Sequence, residues 1–234
     1  MDWDALIKAY PDEKDTIQAA RSLRERIYAA FASVDIPAIA QPPQSAGDLD
    51  PFVPCIASVC EAVWRDLTGH DPGFDMPGSI SALLKGGDAG HVPEADRNRL
   101  EAVARQAVSR FLSLLRAKNP SVIPEAWNRG DCPFCGELAR IGYDDESGRK
   151  LACLACGHTW RIPRLRCPSC GNADHTKLGY FEADGIEGVR VYFCRECARY
   201  LKVVDARVRV PSDAETDDSL TLELDRLAEK EGFS

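Results

Sequence analysis

The chain has 234 residues, of which 44% are hydrophobic and 28% are charged, and its net charge is −8 at pH 7. This composition is ordinary for a globular protein of one or two domains. No apolar run approaches the roughly 20 residues of a membrane span, and nothing resembles the basic stripe that binds phosphate backbones.

The first half of the chain has the apolar periodicity of α-helices. Apolar side chains recur every three or four residues, and prolines or glycines separate the periodic runs. Ser79 is placed to cap the shortest of these runs, and Pro93 fits the first turn of the longest. The pattern predicts about four helices packed as a bundle, at residues 16–34, 54–67, 80–85 and 93–118.

Eight of the ten cysteines follow this helical half as four Cys-x-x-Cys pairs. The two-residue gap lets both thiolates of a pair bind one metal ion, so four pairs suffice for two sites of four cysteines each. Cys-Pro-x-Cys-Gly occurs twice, which indicates two tandem ribbons with sequential sites. The first site is expected to use Cys132, Cys135, Cys153 and Cys156, and the second to use Cys167, Cys170, Cys194 and Cys197.

Disulfides and redox dithiols are the competing interpretations of these pairs. The chain lacks an apolar segment after its start that would direct it to an oxidising compartment. Redox pairs need a strand before and a helix after them, whereas glycines and hairpin-like segments follow these pairs. A metal is therefore favoured, and four thiolates suit zinc and a single iron equally.

The remaining segments complete a prediction of three domains. Proline-containing residues 119–131 form a linker, and short β-rich runs flank the cysteines at residues 138–143, 159–162, 177–182, 189–193 and 200–210. A helix is expected at residues 217–232. The fold class is therefore α+β, with a helical domain (1–126), a first four-cysteine ribbon (127–164) and a second ribbon with a C-terminal helix (165–234).

The cysteine-rich half resembles the formate dehydrogenase accessory proteins of the FdhE family. The resemblance is carried by Cys-Leu-Ala-Cys-Gly-His-Thr-Trp-Arg-Ile-Pro-Arg-Leu-Arg-Cys-Pro-Ser-Cys at residues 153–170 and by Cys-Arg-Glu-Cys-Ala-Arg-Tyr-Leu-Lys at 194–202. The tail agrees in Asp217-Asp218, Leu224-Asp225 and Glu231-Gly232-Phe233. Order, spacing and flanking residues match together over about residues 127–233.

The resemblance implies a cytoplasmic accessory protein rather than an enzyme. Family members are expected to have a helical domain followed by two rubredoxin-like ribbons that hold iron. They bind the catalytic subunit of formate dehydrogenase and support its maturation. The resemblance makes the eight cysteines the metal ligands, and Trp160, Arg164 and Tyr200 framework or partner-contact candidates. Arg199 joins these candidates because it lies near the fourth pair and arginine is a residue type that anchors interfaces when exposed.

Two other functions stay open from the sequence. A rubredoxin-like electron carrier would also need four-cysteine iron sites. A zinc-ribbon nucleic-acid-binding protein is less compatible with residues 127–202, which hold 12 Lys and Arg against 10 Asp and Glu. The near-neutral ribbon segment instead favours a protein partner.

Overall fold

The computed structural model describes residues 2–89 and 91–234, which divide into two compact units. One unit is Asp15–Ile123, and the other combines Met1–Lys14 with Pro124–Ser234. The architecture is mixed: N-terminal helices precede a sheet that carries two four-cysteine clusters, and short helices end the chain, which confirms the predicted fold class. Within the described residues, every helix is too short or too polar to cross a bilayer.

The unit Asp15–Ile123 is helical. Its long helices are α2 (Lys14–Ala30), α3 (Val53–Thr68), α4 (Met76–Leu84) and α5 (Glu94–Lys118), with 3-10 turns at Phe31–Ser33, Ala46–Phe52 and Pro120–Val122. The apolar faces of α3 and α5 pack into the core of this unit, where Trp64 and Phe111 are fully buried. Cys60 lies in this core, whereas Cys55 is half-buried. The four predicted helices are therefore present.

Two helix starts differ from the prediction. Helix α4 begins at Met76 with Asp75 as its N-cap residue, so Ser79 is inside the helix and not its cap. The Ser79 hydroxyl instead donates to the Asp75 carbonyl at 2.7 Å. Pro77 explains the earlier start, because proline suits the first helical turn. Pro93 precedes α5 as its N-cap residue and is not in its first turn.

A six-stranded sheet organises the other unit. Its strands are β1 (Ile141–Asp145), β2 (Gly148–Ala152), β3 (Thr159–Ile162), β4 (Leu178–Phe181), β5 (Val189–Cys194) and β6 (Arg199–Asp205), in the order β3-β2-β1-β6-β5-β4. All neighbours are antiparallel except β1 and β6, which are parallel with Ile141 opposite Lys202. The strands of both cysteine ribbons therefore form a single sheet.

Helices from both ends of the chain belong to this unit. The predicted C-terminal helix is divided into α6 (Ala214–Ser219) and α7 (Leu222–Lys230), and α1 (Trp3–Ala9) packs near α6. The Asp2 amide donates to Thr216 Oγ1 at 2.6 Å, and the Tyr10 hydroxyl donates to the Ser219 carbonyl at 3.0 Å. Leu224 and Ala228 of α7 are fully buried in a core with β1, β5 and β6. The tail helices thereby cover one face of the sheet.

Candidate metal centres

Each of the first three cysteine pairs lies in the same tight turn. The amide of the first cysteine donates to the carbonyl five residues later, at 2.8 Å in all three turns. The glycine after the second cysteine donates back to the carbonyl of the first at 2.9 Å. Gly136, Gly157 and Gly171 have φ of +74°, +72° and +75°, the left-handed region that glycine enters without a steric penalty.

The fourth turn reaches the same backbone region without a glycine. Ala198 has φ +54° and is the one residue other than glycine with positive φ in the part of the chain described. Because no glycine follows Cys197, a somewhat different turn would be expected from the sequence. Ala198 instead adopts the left-handed conformation, and its methyl group costs about 1 kcal/mol of stability relative to glycine.

The first cluster consists of Cys132, Cys135, Cys153 and Cys156. Their sulfur atoms all lie within 4.8 Å of one another. Cys132 Sγ is 3.5 Å from Cys156 Sγ, and Cys135 Sγ is 3.4 Å from Cys153 Sγ. Three of these cysteines are buried and Cys135 is half-buried, so this cluster is largely closed to solvent.

The second cluster consists of Cys167, Cys170, Cys194 and Cys197, again with all sulfur atoms within 4.8 Å. Cys167 Sγ lies 3.7 Å from Cys197 Sγ, and Cys170 Sγ lies 3.8 Å from Cys194 Sγ. Cys170 is exposed, so this cluster is more open than the first. The side-chain amide of Asn172 donates to Cys194 Sγ at 3.7 Å.

Both clusters have the size of a tetrahedral metal site. A metal–sulfur bond of about 2.3 Å implies sulfur–sulfur edges of about 3.8 Å in a regular tetrahedron. The recorded edges of 3.4–3.8 Å are close to that value, and all eight cysteines are free thiols. The structure brings together the same two groups of four that the tandem repeat predicts.

The thiol pKa values diverge inside each cluster. Hydrogen bonds from Cys135, Cys153 and Cys156 hold the pKa of Cys132 far below its usual range, and sharing those bonds raises the pKa of Cys135 and Cys156. The opposite directions of these shifts indicate that neighbouring thiolates disfavour one another. A metal ion provides the charge that allows four thiolates to coexist.

The thiol pKa values are also shifted in opposite directions in the second cluster. Burial raises the pKa of Cys194, but amide donors from Cys197 and Glu196 and the Asn172 side chain outweigh it and bring the value to about 7. Burial raises the pKa of Cys197 to about 12, and neighbouring thiols add to the shift. Cys194 is therefore deprotonated more readily than Cys197 near neutral pH.

The four contact candidates from the sequence lie in two kinds of environment. Trp160 is buried, and its Nε1 donates to the Arg129 carbonyl at 2.9 Å. Tyr200 is half-buried, and its hydroxyl donates to Asp225 at 2.7 Å. Arg164 and Arg199 are exposed and line the same cleft beside the second cluster.

Two motif residues that follow the fourth cysteine turn contact acidic motif residues of the C-terminal tail. Lys202 is fully buried, and its Nζ lies 2.8 Å from Asp218 Oδ1 and 2.7 Å from Asp225 Oδ2. Tyr200 bonds the other oxygen of Asp225, and burial together with that carboxylate raises the pKa of Tyr200 to about 12. Tyr200 and Lys202 of β6 and Asp225 of α7 thus form one cluster, which holds α7 on the sheet.

Other tail motifs have the same structural role. The buried Asp217 accepts from the Tyr143 hydroxyl at 3.1 Å, and burial raises the pKa of both side chains. The rings of Phe193 and Phe233 stack with centroids 4.5 Å apart. The final amide, Ser234 N, donates to the Ala198 carbonyl at 2.8 Å, so the tail closes over the fourth cysteine turn.

Sequence reasoning missed a buried ion pair next to the second cluster. Arg149 and Asp144 are opposite each other in the β1–β2 register and form two hydrogen bonds of 2.9 Å. Only 4% of the Arg149 side chain and 7% of the Asp144 side chain are exposed. The available signal was the Gly148 turn, which places an acidic and a basic residue across a short hairpin.

Comparisons with known proteins agree with the sequence motifs. Residues 165–234 match the family model described as the C-terminal domain of FdhE. The FdhE homolog of Proteus mirabilis is 30% identical over 136 residues, which are 55% of this chain and 44% of that protein. The FdhE homolog of Aquifex aeolicus is 29% identical over 114 residues, 47% of this chain and 40% of that protein. The matched part thus spans less than half the length of these curated relatives.

A solved structure is similar over nearly the whole chain. The crystal structure of the FdhE protein from Pseudomonas aeruginosa aligns with a TM-score of 0.65, covers 99% of this chain and 91% of that one, and is 19% identical. At this identity the likeness concerns the fold. Together with the sequence matches, it confirms the resemblance to the FdhE family that the motifs indicate.

Proposed function

We propose that this chain is a cytoplasmic metal-binding accessory protein that binds the catalytic subunit of formate dehydrogenase and supports its maturation. The proposal is carried by one observation, which is that the family match and the second cysteine cluster lie in the same segment. The segment that matches the FdhE C-terminal domain model, residues 165–234, contains the whole second cysteine cluster and the Lys202–Asp225 contact. The role is that of an assisting protein and not of a formate-oxidising enzyme.

In this proposal each cysteine cluster holds one metal ion. The eight cysteines are the ligands, and the cation stabilises the fold by compensating thiolates that otherwise repel one another. Both iron and zinc fit four sulfur ligands, and iron would add one-electron exchange. Metal analysis of anaerobically purified protein, with its visible spectrum, decides between them. Fewer than about two ions per chain would refute the two-site proposal.

The partner contact is proposed on the cysteine-rich unit. Arg164 and Arg199 are exposed near the second cluster, and arginine is enriched where interfaces are anchored. Trp160 and Tyr200 are bonded within the unit and are better suited to supporting the surface than to forming it.

Complementation in cells tests the maturation role. Cells that lack the protein should lose most formate dehydrogenase activity, and the wild-type chain should restore it. The Cys170→Ser variant should fail to do so, while Cys55→Ser, outside both clusters, should succeed. Full activity in cells without the protein would refute the proposal. A reversible bleaching of the purified iron form by dithionite, with electron transfer to an acceptor, would support an electron carrier instead.

A further inference from the structure

Four arginines converge on a small cleft beside the second cysteine cluster. The cleft is bounded by the third cysteine turn and strands β4 to β6, and its volume is about 40 Å³. Arg149, Arg164, Arg166 and Arg199 line it, and none of the described residues that line it is acidic. This is a concentration of positive charge in a chain whose net charge is −8.

Arg149 is held rigidly at this cleft. Asp144 engages its Nε and Nη2 atoms at 2.9 Å each, and the Tyr192 ring lies 3.9 Å from its guanidinium carbon. Neither of these hydrogen bonds uses Nη1. Because the side chain is already ordered and only 4% exposed, binding an anion there costs little further conformational entropy.

Arg164 and Arg166 are tethered by weaker contacts. Arg164 donates to the Asp145 carbonyl at 2.6 Å and lies 3.5 Å from Asp144 Oδ1. Arg166 donates to the Gly171 carbonyl at 3.1 Å. Asp144 thus contacts both Arg149 and Arg164. Positive charges still exceed negative ones when a divalent ion with four thiolates is counted beside them.

The cleft has room for a carboxylate group. A volume of 40 Å³ holds roughly three water-sized groups, which equals the three heavy atoms of a carboxylate. Guanidinium groups bind carboxylates through paired hydrogen bonds. Leu165 lies between two of these arginines in the chain, does not itself line the cleft, and is 80% exposed.

We propose that this cleft binds the carboxylate of an acidic side chain on a protein partner, with an adjacent apolar side chain packed against Leu165. The identity of the partner rests on the proposed function. The recognition chemistry rests on the arginine cluster alone.

Peptide titration tests the recognition chemistry on the metal-loaded full chain. N-acetyl-glutamyl-leucine amide should shift the Nε–H resonances of Arg149 and Arg164 saturably in two-dimensional NMR, and the glutaminyl analogue should bind at least tenfold more weakly. Arg164→Gln and Arg199→Gln should each weaken binding several-fold. Arg195→Gln is the matched control, because Arg195 is exposed on the fourth turn and does not line the cleft. Equal binding of both peptides, or tighter binding of inorganic phosphate, would overturn the proposal.

Capture of the catalytic subunit tests the partner. The Arg164→Gln/Arg199→Gln double variant, with its metal content verified, should capture at least tenfold less subunit than the wild type and Arg195→Gln. Undiminished capture by the double variant would overturn this inference and leave the proposed function standing. If the wild type captures none, the proposed function fails, and the peptide titration alone decides the inference.

Discussion

Replacing Lys202 with methionine should strongly destabilise the cysteine-rich unit. The ammonium group is fully buried and bonds two carboxylates, Asp218 and Asp225, and the Asp218 carbonyl at 3.0 Å. Methionine keeps most of the side-chain volume but leaves both carboxylates without their cation. Breaking a buried pair costs about 3–5 kcal/mol. Because the two carboxylates remain 22% and 18% exposed, we expect the lower end, about 3 kcal/mol.

Urea unfolding of the metal-loaded full chain measures this loss. With a slope of about 2 kcal/mol per molar urea, the midpoint should fall by roughly 1.5 M. The tryptophan signal of Trp127 and Trp160 reports it, since their Nε1 groups bond backbone carbonyls of this unit, and a Trp64→Phe background removes the signal of the helical unit. The signal from the helical unit is followed separately by circular dichroism, because two units need not unfold as one.

Lys177→Met is the matched control. Its ion pair with Glu196 is about half exposed on both sides, so its loss should cost less than about 1 kcal/mol. Adding Asp225→Asn to the Lys202 variant should restore part of the stability, since it removes one orphaned charge. Equal effects of Lys202→Met and Lys177→Met would refute the argument that the buried cluster holds the tail.

Further predictions concern the cysteine turns, the metals and alkaline pH. Ala198→Gly should stabilise the chain by roughly 0.5 kcal/mol, because the relief of left-handed strain exceeds the entropy gained by the unfolded chain. Gly157→Ala should destabilise the chain by about 1 kcal/mol in the same urea assay, because its left-handed φ is strained for alanine even though the space around its Cβ position is open. Cys135→Ser and Cys170→Ser should each lose about half of the bound metal by elemental analysis, while the helical unit keeps its circular dichroism signal; a joint loss of helicity would contradict independent units. Burial and its carboxylate partner raise the Tyr200 pKa to about 12, so the stabilisation is complete below pH 10 and is lost as pH rises through 12. The wild type should therefore lose more stability than Tyr200→Phe between pH 10 and 12 in thermal melts, and parallel curves would disprove this.

Features determined by nearby residues were predictable from the sequence. Helices α3 and α5 follow from apolar periodicity, and β3 lies at the predicted residues 159–162. The grouping of the cysteines follows from the repeated Cys-Pro-x-Cys-Gly pattern, because each ribbon closes within a short stretch of chain. The division into domains 1–126, 127–164 and 165–234 stays a prediction.

Features that depend on distant residues were not predictable. Strand β2 is an exception, since it was missed because Arg149 and Lys150 interrupt its apolar pattern, although Asp144, the partner that permits Arg149 to be buried, is only five residues away. The approach of α1 to the C-terminal helices depends on hydrogen bonds such as that between Asp2 and Thr216. Tyr200 and Lys202 could be identified as motif residues, but their common partner Asp225 required the structure.

The parallel pairing of β1 and β6 affects the order in which this unit assembles. Each cysteine ribbon closes over a short loop, whereas the Ile141–Lys202 register joins segments far apart in the chain and costs more loop entropy. The two ribbons should therefore close first and the joint sheet last. Until the strands pair, β1 and β6 each present an open edge, which is the type of surface through which chains associate incorrectly. Newly made protein should consequently be most prone to aggregation when metal is scarce, because ribbons that close slowly prolong that exposed stage.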